Sequence, residues 1–145
     1  MKKIVVSLIA LITINHCYSQ TYLTFGTKAS NAHPFYFSMG GGHVFNNGIV
    51  LDVEGKLPVS QRIDLATHLS ASVGLEIPLS EEQKLSLTPM VGGALSYRST
   101  DKKYLNTWAP TGAIRLSYKM LYVQPACIEE RLYLGVGIIA NLNRH

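Results

Sequence analysis

The sequence predicts an all-β fold, an antiparallel up-and-down transmembrane β-barrel of about eight strands. Three observations carry this expectation. The stretch Ile63 to Leu79, IDLATHLSASVGLEIPL, is apolar at every odd position except Thr67 and small, polar or Pro at every even one. A period of two means an extended strand with one apolar and one polar face. The run is also longer than the usual strand of about 5–6 residues. Similar alternation recurs along the chain between turn residues, and no helical period is visible after the N-terminal segment. That segment itself reads as a secretory signal, so the long two-faced strands belong to an exported protein.

The signal is expected over residues 1–19 and the barrel domain over residues 20–145. Lys2 and Lys3 give the positive start, and Ile4 to Ile14 is apolar. This core is too short for a spanning helix of ~20 residues. Cys17 and Ser19 stand at −3 and −1 of a cleavage before Gln20. Acylation at Cys17 is the alternative, but His16 and Asn15 are a poor match to the small residue it needs. Removing the two lysines lowers the formal charge from +4 to +2, leaving no basic excess that would suggest nucleic acid as a partner. Cys127 is then the remaining cysteine, so no internal disulfide framework is expected.

Eight extended segments follow in order. The first runs from about Thr21 to Lys28, with Leu23 and Phe25 on one face. The second, Pro34 to Phe45, sets Phe35, Phe37 and Met39 against Tyr36, Ser38, Gly40 and Gly42. Asn46-Asn47-Gly48 then gives the strongest short hairpin signal, since Asn and Gly tolerate positive φ. The third, Ile49 to Leu57, sets Ile49, Leu51 and Val53 against Asp52, Glu54 and Lys56. The opening stretch is the fourth, closed by a short turn over Ser80–Gln83. The fifth spans Lys84 to Arg98, the sixth Tyr104 to Tyr118, the seventh Leu121 to Ala126 and the eighth Leu132 to Leu142. Connections are expected to alternate between tight ones and longer, more polar ones.

On these strands and turns, the chain resembles a small eight-stranded Gram-negative outer-membrane β-barrel. The resemblance is one of pattern over residues 20–145, with no diagnostic motif. It implies short periplasmic turns, longer external loops and both termini inside. The chain departs from the common terminal aromatic, finishing Leu142-Asn143-Arg144-His145.

The apolar face carries aromatics where a bilayer interface would need them. Trp108 and Tyr118 lie ten residues apart on one face. At ~3.3 Å per residue and a tilt near 40° they span roughly 25 Å, the height of an apolar band. Tyr97 and Tyr104 are expected to join Trp108 in one girdle, and Phe45 to join Tyr118 in the other. The alternative is that these are core and rim aromatics of a soluble sandwich. Pro89, Pro110 and Pro125 each delete a ladder hydrogen bond, which bulges could absorb.

The polar face predicts a plugged interior. An eight-stranded barrel is just wide enough to be filled by its own side chains. Asp52, Glu54, His68 and Arg115 are the expected lumenal polar network. With the hairpin between the third and fourth segments centred near Ser60, Asp52 falls opposite His68, with Ser70 on the same face. A carboxylate, a histidine and a serine could support nucleophilic chemistry. His68-Leu69-Ser70 also resembles the His-x-Ser of small barrel lipid A deacylases. There the active residues look outward, whereas these face inward, and Ala-Ser-Val-Gly follows in place of Asn-Ala. A hydrogen-bonded structural network is the favoured reading, so no catalytic residue is expected. No histidine pair has metal-ligand spacing, and neither metal nor cofactor is expected.

The leading expectation is therefore a non-enzymatic outer-membrane barrel with a structural, adhesive or envelope-accessory role. Its partners would be outer-membrane lipid and envelope proteins met through the loops, not nucleic acid. The alternatives are an exported β-barrel or β-sandwich, periplasmic or secreted, that binds a small ligand or protein, and a lipid hydrolase using His68 and Ser70.

Overall fold

The computed structural model describes residues 19–31, 35–59, 67–80, 84–100, 103–128 and 130–142, with backbone alone over 98–100 and 103–106. Nine strand segments run through them: β1 (Gln20–Ser30), β2 (Tyr36–Val44), β3 (Ile49–Pro58), β4 (Thr67–Leu75), β5 (Ile77–Pro78), β6 (Leu85–Thr100), β7 (Lys103–Tyr118), β8 (Leu121–Ile128) and β9 (Arg131–Asn141). Neighbours in sequence pair antiparallel, β4 and β5 excepted. β1 also pairs with β9, and β4 with β6, which closes the sheet. β5 continues β4, so the nine segments make an eight-stranded up-and-down barrel. The chain enters at Gln20 and leaves at Asn141 on one end of the barrel, where Leu142 N–H donates to Thr21 C=O at 2.9 Å.

The sequence period of two appears as an inside-out molecule. Leu51, Val53, Leu69, Val73, Val91, Ile114, Leu132 and Leu134 face outward and are exposed. Lys28, Glu54, Lys56, His68 and Arg115 face inward, each no more than 3 % exposed. A water-soluble sandwich would bury the first set and expose the second, because apolar burial is its driving force. With hydrocarbon as the solvent, the outer wall must be apolar and every wall hydrogen bond internal. This arrangement, with the fold comparisons below, makes the chain a transmembrane β-barrel.

Several local expectations are corrected. The Asn46-Asn47-Gly48 turn forms where expected, as a three-residue loop whose Gly48 N–H donates to Phe45 C=O at 2.9 Å, but Gly48 alone of the three has positive φ, +80°. The β3–β4 register pairs Asp52 with Ser72, Glu54 with Ser70 and Lys56 with His68, so Asp52 does not face His68. The pairing centres on 62 instead of Ser60, because the connection carries no short turn signal to pin it nearer. The β6–β7 connection is short: Ser99 and Thr100 pair with Tyr104 and Lys103. Of the polar residues read as a loop, Ser99, Thr100 and Lys103 are strand, at the top of a tall hairpin, and 101–102 lie outside the described residues. β8 and β9 meet at Ile128–Arg131, another short connection.

The prolines create no bulge. The β4–β6 ladder stops after Gly74–Met90 and resumes, as β5–β6, at Ile77–Leu87, three residues on along both strands. The register is unchanged, so no residue is inserted. The lost rungs face Pro89, which has no N–H to give to Leu75 C=O. The β7–β8 ladder likewise skips from Ala113–Ala126 to Leu116–Val123, opposite Pro125. On the lumen side of that gap, Arg115 Nε donates to Gln124 Oε1 at 2.8 Å, clasping the two strands where the backbone does not. Pro110 lies above the last β7–β8 pair, Thr111–Ile128.

Candidate functional site

The lumen holds two polar clusters stacked along the barrel axis. Nearer the termini, Arg115 of β7 is gripped from three strands. Its Nη2 donates to Asp52 Oδ2 at 2.8 Å, its Nη1 to the Tyr22 hydroxyl at 3.0 Å and its Nε to Gln124. The Tyr22 hydroxyl donates in turn to the same Asp52 oxygen at 2.5 Å. The guanidinium also lies over the rings of Tyr22 and Tyr122, 5.4 and 5.5 Å from their centroids. A planar cation with fixed donors suits this enclosure better than an ammonium group would.

The second cluster lies towards the far end. Glu54 of β3 accepts from Lys28 of β1 at 2.7 Å and sits 3.5 Å from the Lys56 ammonium. Lys56 lies 5.5 Å from the centroid of the Tyr133 ring, whose face attracts the cation. His68 Nδ1 is 2.8 Å from Ser96 Oγ, and its Nε2 is 3.2 Å from the Tyr133 hydroxyl. Tyr36, His68 and Tyr133 pack ring to ring at centroid distances of 5.7–6.0 Å. Ser70 donates to the Glu54 carbonyl at 3.3 Å.

Asp52, Glu54, His68 and Arg115 are thus all buried in the lumen, but in two groups. Asp52 belongs with Arg115, whereas Glu54 and His68 belong to the other cluster. The Asp52–His68–Ser70 arrangement is not assembled, since Asp52 is taken by Arg115 and Tyr22 and the hydroxyl on His68 Nδ1 is that of Ser96. Sequence reading missed Lys28, Tyr22 and Tyr133 as members. Parity contained the signal for β1: with Leu23 and Phe25 outward, Tyr22 and Lys28 must point in.

The expected girdle residues lie on the outer wall where their side chains are described. Tyr97, Trp108 and Tyr118 are exposed, Trp108 at 71 %. Phe45 is half-buried against His43, at 4.7 Å between ring centroids, and His43 in turn meets the Thr21 hydroxyl at 3.1 Å. The Tyr104 side chain lies outside the described residues. The Trp108 indole covers Gly93, where a Cβ would fall 2.6 Å from its Nε1, so only glycine lets the ring lie flat on the wall.

Between the Arg115 cluster and the terminal mouth lies a polar cavity of ≈ 340 Å³. Ser86, Thr88 and Ser117 wall it, and Glu76, Lys84 and Lys119 stand among its lining residues. Tyr22 and Arg115 of the buried cluster form its inner end. Among the described residues no group of three metal-ligating side chains converges.

At the far end the wall is uneven. β7 runs through residues 103–110 beyond its last pair with β8. β6 pairs with β4 up to Tyr97 and with β7 up to Thr100. The β6–β7 hairpin therefore stands above the β8–β9 hairpin, which turns back at Ile128–Arg131.

No family model matches the chain, and no curated protein matches it either. Solved structures do. A de novo designed transmembrane β-barrel aligns with a TM-score of 0.58 at 18 % identity, over 85 % of this chain and 95 % of that one. Ail, the attachment invasion locus protein of Yersinia pestis, aligns with a TM-score of 0.48 at 11 % identity, over 84 % and 97 % of the two chains. Its complex with the heparin analogue sucrose octasulfate aligns at 0.41 and 12 % identity, over 84 % and 97 %. The designed barrel shares the fold of this chain, an eight-stranded transmembrane β-barrel.

Proposed function

We propose that the protein is a non-enzymatic outer-membrane barrel with an adhesive or envelope-docking role, exported by its N-terminal signal. The observation that carries this reading is the tall β6–β7 hairpin on a barrel whose lumen holds buried ion pairs. Such a barrel is a poor conduit and a rigid stand for what projects from it. The far end is taken as external, because the termini leave together at the opposite mouth and, in barrels of this class, that mouth is periplasmic. By sequence, the stretch from Arg98 to Lys103 holds Arg98, Lys102 and Lys103 against Asp101.

Expression on cells tests the reading. Protease added to intact cells should cut at Lys102 or Lys103, while Lys84 stays protected until the outer membrane is permeabilised. Cells bearing the protein should adhere to surfaces coated with extracellular or envelope proteins more than cells without it. Equal adhesion on every coating, or protection of the hairpin in intact cells, would overturn the proposal.

A further inference from the structure

Where β6 and β7 approach the terminal mouth, their residues line the polar cavity in rows. Thr88 pairs with Arg115, and Ser86 with Ser117. One step nearer the mouth, Lys119 N–H donates to Lys84 C=O at 2.8 Å, which sets those two residues side by side. All six residues line the cavity of ≈ 340 Å³. At ~3.4 Å per residue the rows stand roughly 7 Å apart along the strands. From floor to rim the wall therefore offers a guanidinium with a hydroxyl, then two hydroxyls, then two ammonium groups.

Charge gives this cavity a sign. Among the described residues, Lys28, Lys56 and Arg115 are buried in the lumen against Asp52 and Glu54, one cation in excess. Around the mouth, Lys84 and Lys119 stand against Glu76, again one cation in excess. Lys119 holds its ammonium 5.4 Å from the centroid of the Tyr118 ring, so it serves as rim charge. A low-dielectric wall around such an excess focuses the field towards the opening and draws anions in. The floor can hold what the field attracts. Of the five guanidinium N–H groups of Arg115, three go to Asp52, Tyr22 and Gln124, which leaves two. We propose that the cavity binds a small organic monoanion, a carboxylate carrying several hydroxyl groups, that enters by the terminal mouth. The site stands apart from the docking role proposed above and does not depend on it.

Each part of this ligand answers a part of the wall. Guanidinium N–H groups match carboxylate oxygens in geometry as well as in charge. The hydroxyls of Ser86, Thr88 and Ser117 can donate and accept, as ligand hydroxyls do, so a polyol chain above the carboxylate can bond to them in either sense. Ser86 Oγ and Ser117 Oγ stand 3.5 Å apart, a long bond that a ligand hydroxyl can replace. An alkyl carboxylate would cover these hydroxyls without bonding them, which is costly. A phosphate dianion would exceed the single excess charge of the buried lumen and bring a second charge to be desolvated. The volume lies at the lower end of the ~300–1,000 Å³ usual for small-molecule sites, which suits a ligand of sugar-acid size.

Gluconate and sorbitol share a polyol chain and differ at one end, a carboxylate against a hydroxymethyl group, so the pair tests the proposal directly. Titration calorimetry on the purified full-length barrel in detergent should show saturable one-to-one binding of gluconate. Sorbitol should bind roughly 10- to 100-fold more weakly, the worth of the charge-assisted bonds it lacks. Acetate keeps the charge but has no hydroxyls, and it too should bind more weakly than gluconate. Thr88→Val keeps the side-chain shape and removes a hydroxyl. It should weaken gluconate about tenfold and leave acetate unchanged. Lys84→Gln should weaken gluconate most at low salt. Heat-modifiability on gels should be unchanged in both variants, which separates loss of the site from unfolding. Sorbitol binding as tightly as gluconate, inorganic phosphate outcompeting gluconate, or full gluconate affinity in Thr88→Val would overturn the proposal. So would a titration in which gluconate shows no saturable binding.

Discussion

The two lumenal clusters solve the same problem with different charge balance. Around Arg115, one cation meets one carboxylate, and neutral donors and acceptors complete the shell. Around Glu54, one carboxylate serves two lysines, and the face of the Tyr133 ring lies by one of the ammonium groups. The first cluster is a balanced lock joining β1, β3, β7 and β8. The second holds together only while its single acid is present. Burying charge without a partner costs several kcal/mol per ion, so the two clusters should fail differently when cut.

The largest effect is expected at Glu54. Glu54→Gln leaves Lys28 and Lys56 side by side without a counter-charge, and should cost near the top of the ~3–5 kcal/mol typical of a broken buried pair. Denaturant unfolding in lipid vesicles measures it. Asp52→Asn should cost less, near the bottom of that range, because Tyr22 and Gln124 still bond the guanidinium. If Asp52→Asn proves the costlier of the two, the comparison is wrong.

A third expectation concerns the clasp opposite Pro125. Gln124→Ala should cost about 1 kcal/mol, a buried hydrogen bond. With Pro125→Ala in the same chain the cost should shrink, since a restored N–H can re-form the missing rung. A double-mutant cycle showing no coupling would dissociate the side-chain bond from the backbone gap. Smallest of all is Ser70→Ala, which loses one hydrogen bond to a carbonyl and should stay within about 1 kcal/mol. The same variant checks the hydrolase alternative, which instead predicts an intact fold and lost release of fatty acid from lipid.

How much of this was legible in the sequence follows from what each feature depends on. Alternation is local, so eight strands, their faces and an inward Asp52, Glu54, His68 and Arg115 could be read from residue types alone. Register is not local. Nothing between Pro58 and Thr67 fixes where the β3–β4 hairpin turns, and an error of two residues in its centre shifts each partner by four. That shift gave Asp52 the wrong companion, His68 in place of Arg115, which lies far off in sequence. The prolines misled in another way. Their missing N–H was evident, but the loss is absorbed by empty rungs and one side-chain clasp, with no bulge. At the β6–β7 tip, Ser99, Thr100 and Lys103 looked like loop because they are polar. They are strand above the point where β8 ends.

A transmembrane barrel holds its outer face against hydrocarbon. Trp108 is the chain's single tryptophan and stands on that face. Its fluorescence in vesicles whose acyl chains are brominated at shallow, middle or deep positions tests the claim directly. The barrel predicts strong quenching, greatest for the shallow bromines, because Trp108 lies at the upper edge of the apolar band. Emission indifferent to brominated lipid yet fully quenched by aqueous iodide would contradict it.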